Sequence, residues 1–109
     1  MLDLYNILVK VGIPVWHYEA EQEEDAYIVY QELDTRYDWA SGSPWEEIIK
    51  VTIAHFTKVE FDPSLENLKR ILIENKLEFT VAHGFNPGTK VILNEFDLKI
   101  SRDLEATYE

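Results

Sequence analysis

The sequence predicts a single α+β domain, a mainly antiparallel sheet of four to five strands with two helices packed on one face. Three observations predict it. Apolar residues recur at helical spacing in two separate segments, 4–11 and 65–73. Runs rich in β-branched and aromatic residues, several with a period of two, lie between and after them. The chain has 109 residues, 46% of them hydrophobic, with only 4 Gly and 4 Pro, which suits one core and leaves no linker between two. The domain is expected over residues 1–101, with 102–109 as a frayed, charged tail.

The first element is a short helix. Leu4, Ile7, Leu8 and Val11 fall on one stripe, and Asp3 is placed to serve the open N–H groups at its start. Gly12 is free to adopt positive φ, and Pro14 stops the helix while biasing Ile13 to an extended conformation. Residues 14–18 read as an extended segment running into an acidic loop, Glu19, Glu21, Glu23, Glu24 and Asp25, which has no apolar period and reads as a solvated surface.

A strand is expected over 26–33, from its content of Tyr, Ile and Val. Another is expected over 47–57, where Ile49, Val51 and Ile53 alternate with Lys50 and Thr52. Residues 34–45 between them read as a long loop, because Ser41, Gly42, Ser43 and Pro44 interrupt the pattern. The second helix has Asp62 as N-cap, Pro63 at the first position, and Leu65, Leu68 and Leu72 as an apolar stripe widened by Ile71 and Ile73. Glu66 is placed to pair with Arg70, and Asn75 is the expected left-handed stop. A closing hairpin joins 77–83 to 90–100, with Pro87 and Gly88 suited to a type II turn. In its last strand Ile92, Phe96, Leu98 and Ile100 share parity, interrupted by Asn94.

Charge narrows the function. Twenty-one acidic against ten basic side chains leave a formal net charge of -11, which disfavours a phosphate-gripping surface and specific nucleic-acid binding. With no cysteine there is neither a disulfide framework nor a thiolate metal site, as fits a reducing interior. No basic segment precedes a long apolar run at the N-terminus, and no stretch approaches the roughly 18 to 20 apolar residues that span a bilayer, so no membrane association is expected.

Reactive constellations are thin. His17 has no second histidine at helical spacing, and no zinc-hydrolase, nucleophile-elbow, phosphate-cradling or dinucleotide pattern occurs. His55 and His83 both share the inward parity of their strands and are expected to approach each other near strand ends, which makes them the one pair to test for acid–base chemistry. No catalytic residue, metal site or cofactor is expected. The better candidates are Arg36, Tyr37, Trp39 and Trp45, since Trp, Tyr and Arg concentrate binding energy at interfaces. From the sequence alone they serve equally well as a partner surface or as caps folded back on the core.

Over roughly residues 1–100 the order and length of these elements resemble the small tail-terminator, or tail-completion, proteins of long-tailed bacteriophages and prophages. The resemblance rests on a helix closing into Gly12, Ile13, Pro14 and Val15, the strand from Ala26 to Tyr30, and a long polar-aromatic loop. The strand over 47–57, the helix over 63–75 and the terminal hairpin complete it. It implies a non-enzymatic subunit that assembles as a ring, typically hexameric, capping the tail tube and joining it to the head-neck complex. Its partners would be other copies of itself and the tube and neck proteins. Its setting would be the bacterial host cytoplasm during assembly, then the tail-neck region of the virion. The competing expectation is an acidic DNA mimic that occupies the basic cleft of a nuclease or repressor.

Overall fold

A computed structural model describes residues 3–22 and 24–103. The elements are α1 (Leu4–Leu8), a 3-10 turn (Val9–Val11), β1 (Val15–His17), β2 (Ala26–Ala40), β3 (Ser43–Thr57), α2 (Pro63–Glu74), β4 (Phe79–Asn86) and β5 (Val91–Asp103). The strands form one five-stranded mixed sheet in the order β1-β2-β3-β5-β4, in which β1 alone runs parallel to its neighbour. The fold is α+β, as expected from the sequence.

Strand register explains the core. Residues directly opposed across a ladder share a face, so Ile28 with His55, Tyr30 with Ile53, and Val51 with Leu98 all point to one side. There they pack with Leu4, Ile7, Leu8 and Val11 from the first helical segment and Leu68, Ile71 and Leu72 from α2. The other face carries Trp16, Tyr27, Val29, Ala54, Phe56 and Leu93, all half-buried, with the Tyr27 and Phe56 rings stacked at 4.8 Å.

Local chemistry sets the element ends. Asp3 accepts from the Asn6 backbone N–H, Gly12 closes the first segment at φ 97°, and the Asp62 carboxylate accepts from the Ser64 N–H at the start of α2. The left-handed stop of α2 is Lys76, at φ 58°, one residue beyond the expected Asn75. Its N–H donates to the Ile73 carbonyl while the Leu77 N–H reaches back to Leu72, the paired bonds of a Schellman motif. Ile73 is exposed, so the buried stripe is narrower than the sequence suggested. Glu66 pairs with Lys69 at 3.2 Å, and Arg70 lies instead 3.7 Å from Glu74.

The largest departure is the expected loop over 34–45, which is β-structure. Both β2 and β3 are 15 residues long, joined by Ser41 at φ 52° and Gly42 at φ 81°, the two positive angles of a type I′ hairpin turn. Bulges between Glu32 and Asp34 and between Asp38 and Trp39 absorb the register shifts. At about 3.3 Å per residue each strand spans about 50 Å, which accounts for the longest dimension of a 53 × 24 × 24 Å molecule.

The closing hairpin also differs from expectation. Gly88 does not have positive φ. Lys90 does, at 59°, while the Asn86 side chain accepts from the Gly88 and Thr89 N–H groups, so the turn is a short helical turn capped by Asn86 and is not type II. Strand β5 continues through Ser101 and Arg102 to Asp103, pairing with β3 as far as Glu46, and the rest of the expected tail lies outside the described residues. No helix among the described residues is long and apolar enough to cross a membrane.

Candidate functional site

Two regions at opposite ends of the sheet carry the features most in need of a role. The first is the arm formed by the turn ends of β2 and β3. Among the described residues β1 covers β2 only from Ile28 to Tyr30 and β5 accompanies β3 only as far as Glu46, so beyond that point the described arm is two strands wide. Trp39 and Trp45 lie on it, while Arg36 and Tyr37 lie at its base, opposite Ile48 and Glu47, where β5 still pairs with β3. Trp39 is 64% exposed, with Tyr37, Trp45 and Arg36 also exposed, and the Arg36 guanidinium lies 3.7 Å from Asp38. None caps the core. They are exposed and are not among the residues packed on the core cluster.

At the arm's base, Glu47 is buried and its carboxylate accepts from Arg102 at 3.5 Å. Beside it, the His17 ring stacks on Tyr18 and Tyr30, and its Nε2 meets the Glu32 carboxylate at 2.7 Å. Burial, the largest influence on Glu32, favours its neutral form. Hydrogen bonds from His17 and Tyr18 outweigh it and leave the pKa below the ordinary value, while the same carboxylate raises that of Tyr18.

The second region lies at the far end of the sheet, where α2 begins. The approach of His55 and His83 expected from parity occurs through a third residue. Asn94, paired with both in the ladders, stands between them. His83 Nδ1 lies 2.6 Å from Asn94 Oδ1, Asn94 Nδ2 lies 3.3 Å from His55 Nδ1, and His55 Nε2 lies 2.8 Å from Ser64 Oγ. The Asp62 carboxylate ends the chain, accepting from Thr57 Oγ1 at 2.6 Å and from the Ser64 N–H at 2.9 Å.

This chain has one consistent direction. With the Asn94 amide donating, His55 Nδ1 accepts, so the His55 proton sits on Nε2 and donates to Ser64. Burial pushes the His55 pKa below its ordinary value and keeps the ring neutral, with the Asp62 charge opposing. At Asp62 burial is again the largest influence and favours protonation, but the bonds from Thr57 and Ser64 prevail and lower its pKa. Ser64 and His55 are spaced like a nucleophile and base. Yet Ser64 is buried, its hydroxyl is engaged between His55 and Asp62, and it does not line the open groove beside it. What the network does is fasten β3, β4 and β5 to the first turn of α2.

That groove has a volume of about 710 Å³ and runs between the Val59–Glu66 segment and the turn end of β4. Phe61, 92% exposed at φ 58°, and the exposed Phe85 both line it. The acidic segment runs from the end of β1 back to the start of β2. Glu19, Glu21, Glu24 and Asp25 are exposed, and Glu23 lies outside the described residues. Among the described residues no three His, Asp or Glu side chains are grouped to hold a metal ion. No protein-family model matches the chain, and no curated protein matches it significantly.

Sequence reasoning missed Phe61 and Asn94. Asn94 was visible only as the polar break in the inward parity of the last strand, the usual mark of a buried residue with a specific partner. Nothing in the sequence marked Phe61, since a phenyl side chain gives no warning of a left-handed backbone.

Proposed function

We propose that this chain is a structural subunit of the phage tail-terminator type, closing into a ring on the end of a tail tube and presenting a surface to the head-neck complex. It works by surface contact and performs no catalysis. The observation that carries the reading is the arm: a two-stranded projection with Trp39 and Trp45 exposed along it and Tyr37 exposed at its base. Exposed aromatic rings outside the core cluster are the kind of anchor that concentrates energy at a protein interface. The edge of β2 beyond Tyr30 and the half-buried apolar face around Tyr27 and Phe56 offer further contact area to neighbours. Head-to-tail contacts of this kind close into a ring when the rotation between copies closes. A net charge of -11 per chain lets DNA pass a ring channel without being held.

The test is light scattering and negative-stain electron microscopy of the purified chain, alone and with isolated tail tubes. Closed rings, free or seated on tube ends, are expected. A chain that stays monomeric and leaves tube ends bare removes the reading.

A further inference from the structure

The arm accounts for one end of the molecule, and the groove at the other end calls for a different occupant. Its floor is apolar, with Leu65 and Ile92, and Phe61 and Phe85 stand as largely exposed walls. Its rim carries the carboxylates of Glu60, Asp62 and Glu66, and no Lys or Arg lines it, although Lys69 reaches Glu66 from outside at 3.2 Å. The positive end of α2 is already met by Asp62 and Glu66, so the groove has no call for an anion.

Phe61 is the sharpest sign that something binds. A bulky side chain at φ 58° holds a backbone conformation that Gly or Asn would adopt more easily, and folding gains little in return because the ring stays in solvent. A large aromatic kept in that conformation beside a second exposed phenyl is what a docking surface presents before its partner arrives.

We infer that this groove docks a basic, apolar segment of a different protein, one that sets a bulky aliphatic or aromatic side chain between Phe61 and Phe85 with Lys or Arg against the carboxylate rim. Another copy of the chain is the wrong partner for it. The exposed arm, residues 38–46, its best apolar candidate, carries Asp38 and Glu46 and no Lys or Arg, so like charges would meet. The inference does not depend on ring formation, since the groove and the arm tip lie at opposite ends of the sheet.

The experiment titrates the isotopically labelled full chain with a synthetic amphipathic peptide, Leu and Phe on one helical face and Arg along both flanks, while amide NMR shifts are followed. A control peptide carries Glu in place of Arg. Saturable shifts are expected over 59–65 and 83–85 with the Arg peptide, and none with the Glu peptide. Phe61→Asn, which suits the backbone angle, should melt no lower than the parent yet bind at least about tenfold more weakly, as loss of an interface anchor does. Phe85→Ser should weaken binding in the same direction. Four results overturn the inference: equal binding of the Glu peptide; shifts spread along the acidic segment 19–25 in place of the groove; a lowered melting temperature for Phe61→Asn; or concentration-dependent shifts at the groove without peptide, which would assign it to a second copy.

Discussion

Replacing Asn94 with leucine tests the buried network through a cost that the geometry sets. Asn94 and His55 are 2% and 0% exposed, and the Asn94 amide is the group placed to donate to His55 Nδ1. Leucine is close in volume and leaves little room for a replacing water, so the imidazole nitrogen would stay buried and unpaired, a cost of about 1 to 3 kcal/mol. The bond to His83 adds little, because His83 is exposed and water can replace it. Burying leucine's methyl groups offsets part of the loss, leaving a net destabilisation of about 1 to 2 kcal/mol. The assay is urea denaturation followed by circular dichroism for the parent, Asn94→Leu, His55→Leu and the double variant. Removing both partners leaves neither end of the Asn94–His55 bond orphaned, and the lost donor to Ser64 is common to His55→Leu and the double variant, so the double variant should be more stable than the sum of the single losses predicts, with a coupling of at least about 1 kcal/mol. Losses that add within about 0.5 kcal/mol would refute the network, because independent sites add that closely.

Other expectations follow from single positions. Lys76→Gly relieves the left-handed stop of α2 and should raise stability by about 1 kcal/mol in the same denaturation assay. Gly42→Ala should lower it by about 1 to 2 kcal/mol through backbone strain alone, since a Cβ there would meet no atom within 4 Å. Acid should weaken the fold in two stages. Because His55 is held neutral in the fold, the unfolded chain takes up its proton first as pH falls below the ordinary value of 6.5. Stability then declines by up to about 1.4 kcal/mol per pH unit until the folded ring titrates. Glu32 and Asp62, whose pKa values are lowered, give stability that is present above the ordinary carboxylate range and is lost only at lower pH. His55→Leu should flatten the upper stage, and a parent chain that grows more stable on acidification from neutral pH would contradict the assignment.

The elements with aliphatic periodicity were legible. The Leu4 to Val11 stripe, the Asp62 cap with Pro63, and the inward parity of Ile49, Val51 and Ile53 all describe buried faces, and burial is what a hydrophobic pattern records. The arm was not legible because it has no core to face. Thr35, Tyr37 and Trp39 do alternate with Asp34, Arg36 and Asp38, but without aliphatic residues that alternation was outweighed by the turn chemistry around Gly42 and Pro44. Residues 14–18 were legible as extended, but the pairing of β1 was not, for a related reason. Three residues paired parallel to β2 leave almost no period to read. The meeting of His55 and His83 was inferred from parity, whereas the residue that joins them became visible only when register placed Asn94 opposite both. Lys76 and Phe61 show the limit of composition as a guide to backbone, since each occupies a conformation that Asn or Gly would normally mark.

Tryptophan accessibility tests the central claim, that the arm is the contact surface, most directly. A Trp16→Phe variant leaves only Trp39 and Trp45 to report, and acrylamide quenching is compared between the isolated chain and the chain assembled alone or on tail tubes. The account predicts rings open to quencher in the isolated chain and shielded after assembly. Indoles already shielded in the isolated chain, or equally open within a closed assembly, would contradict it.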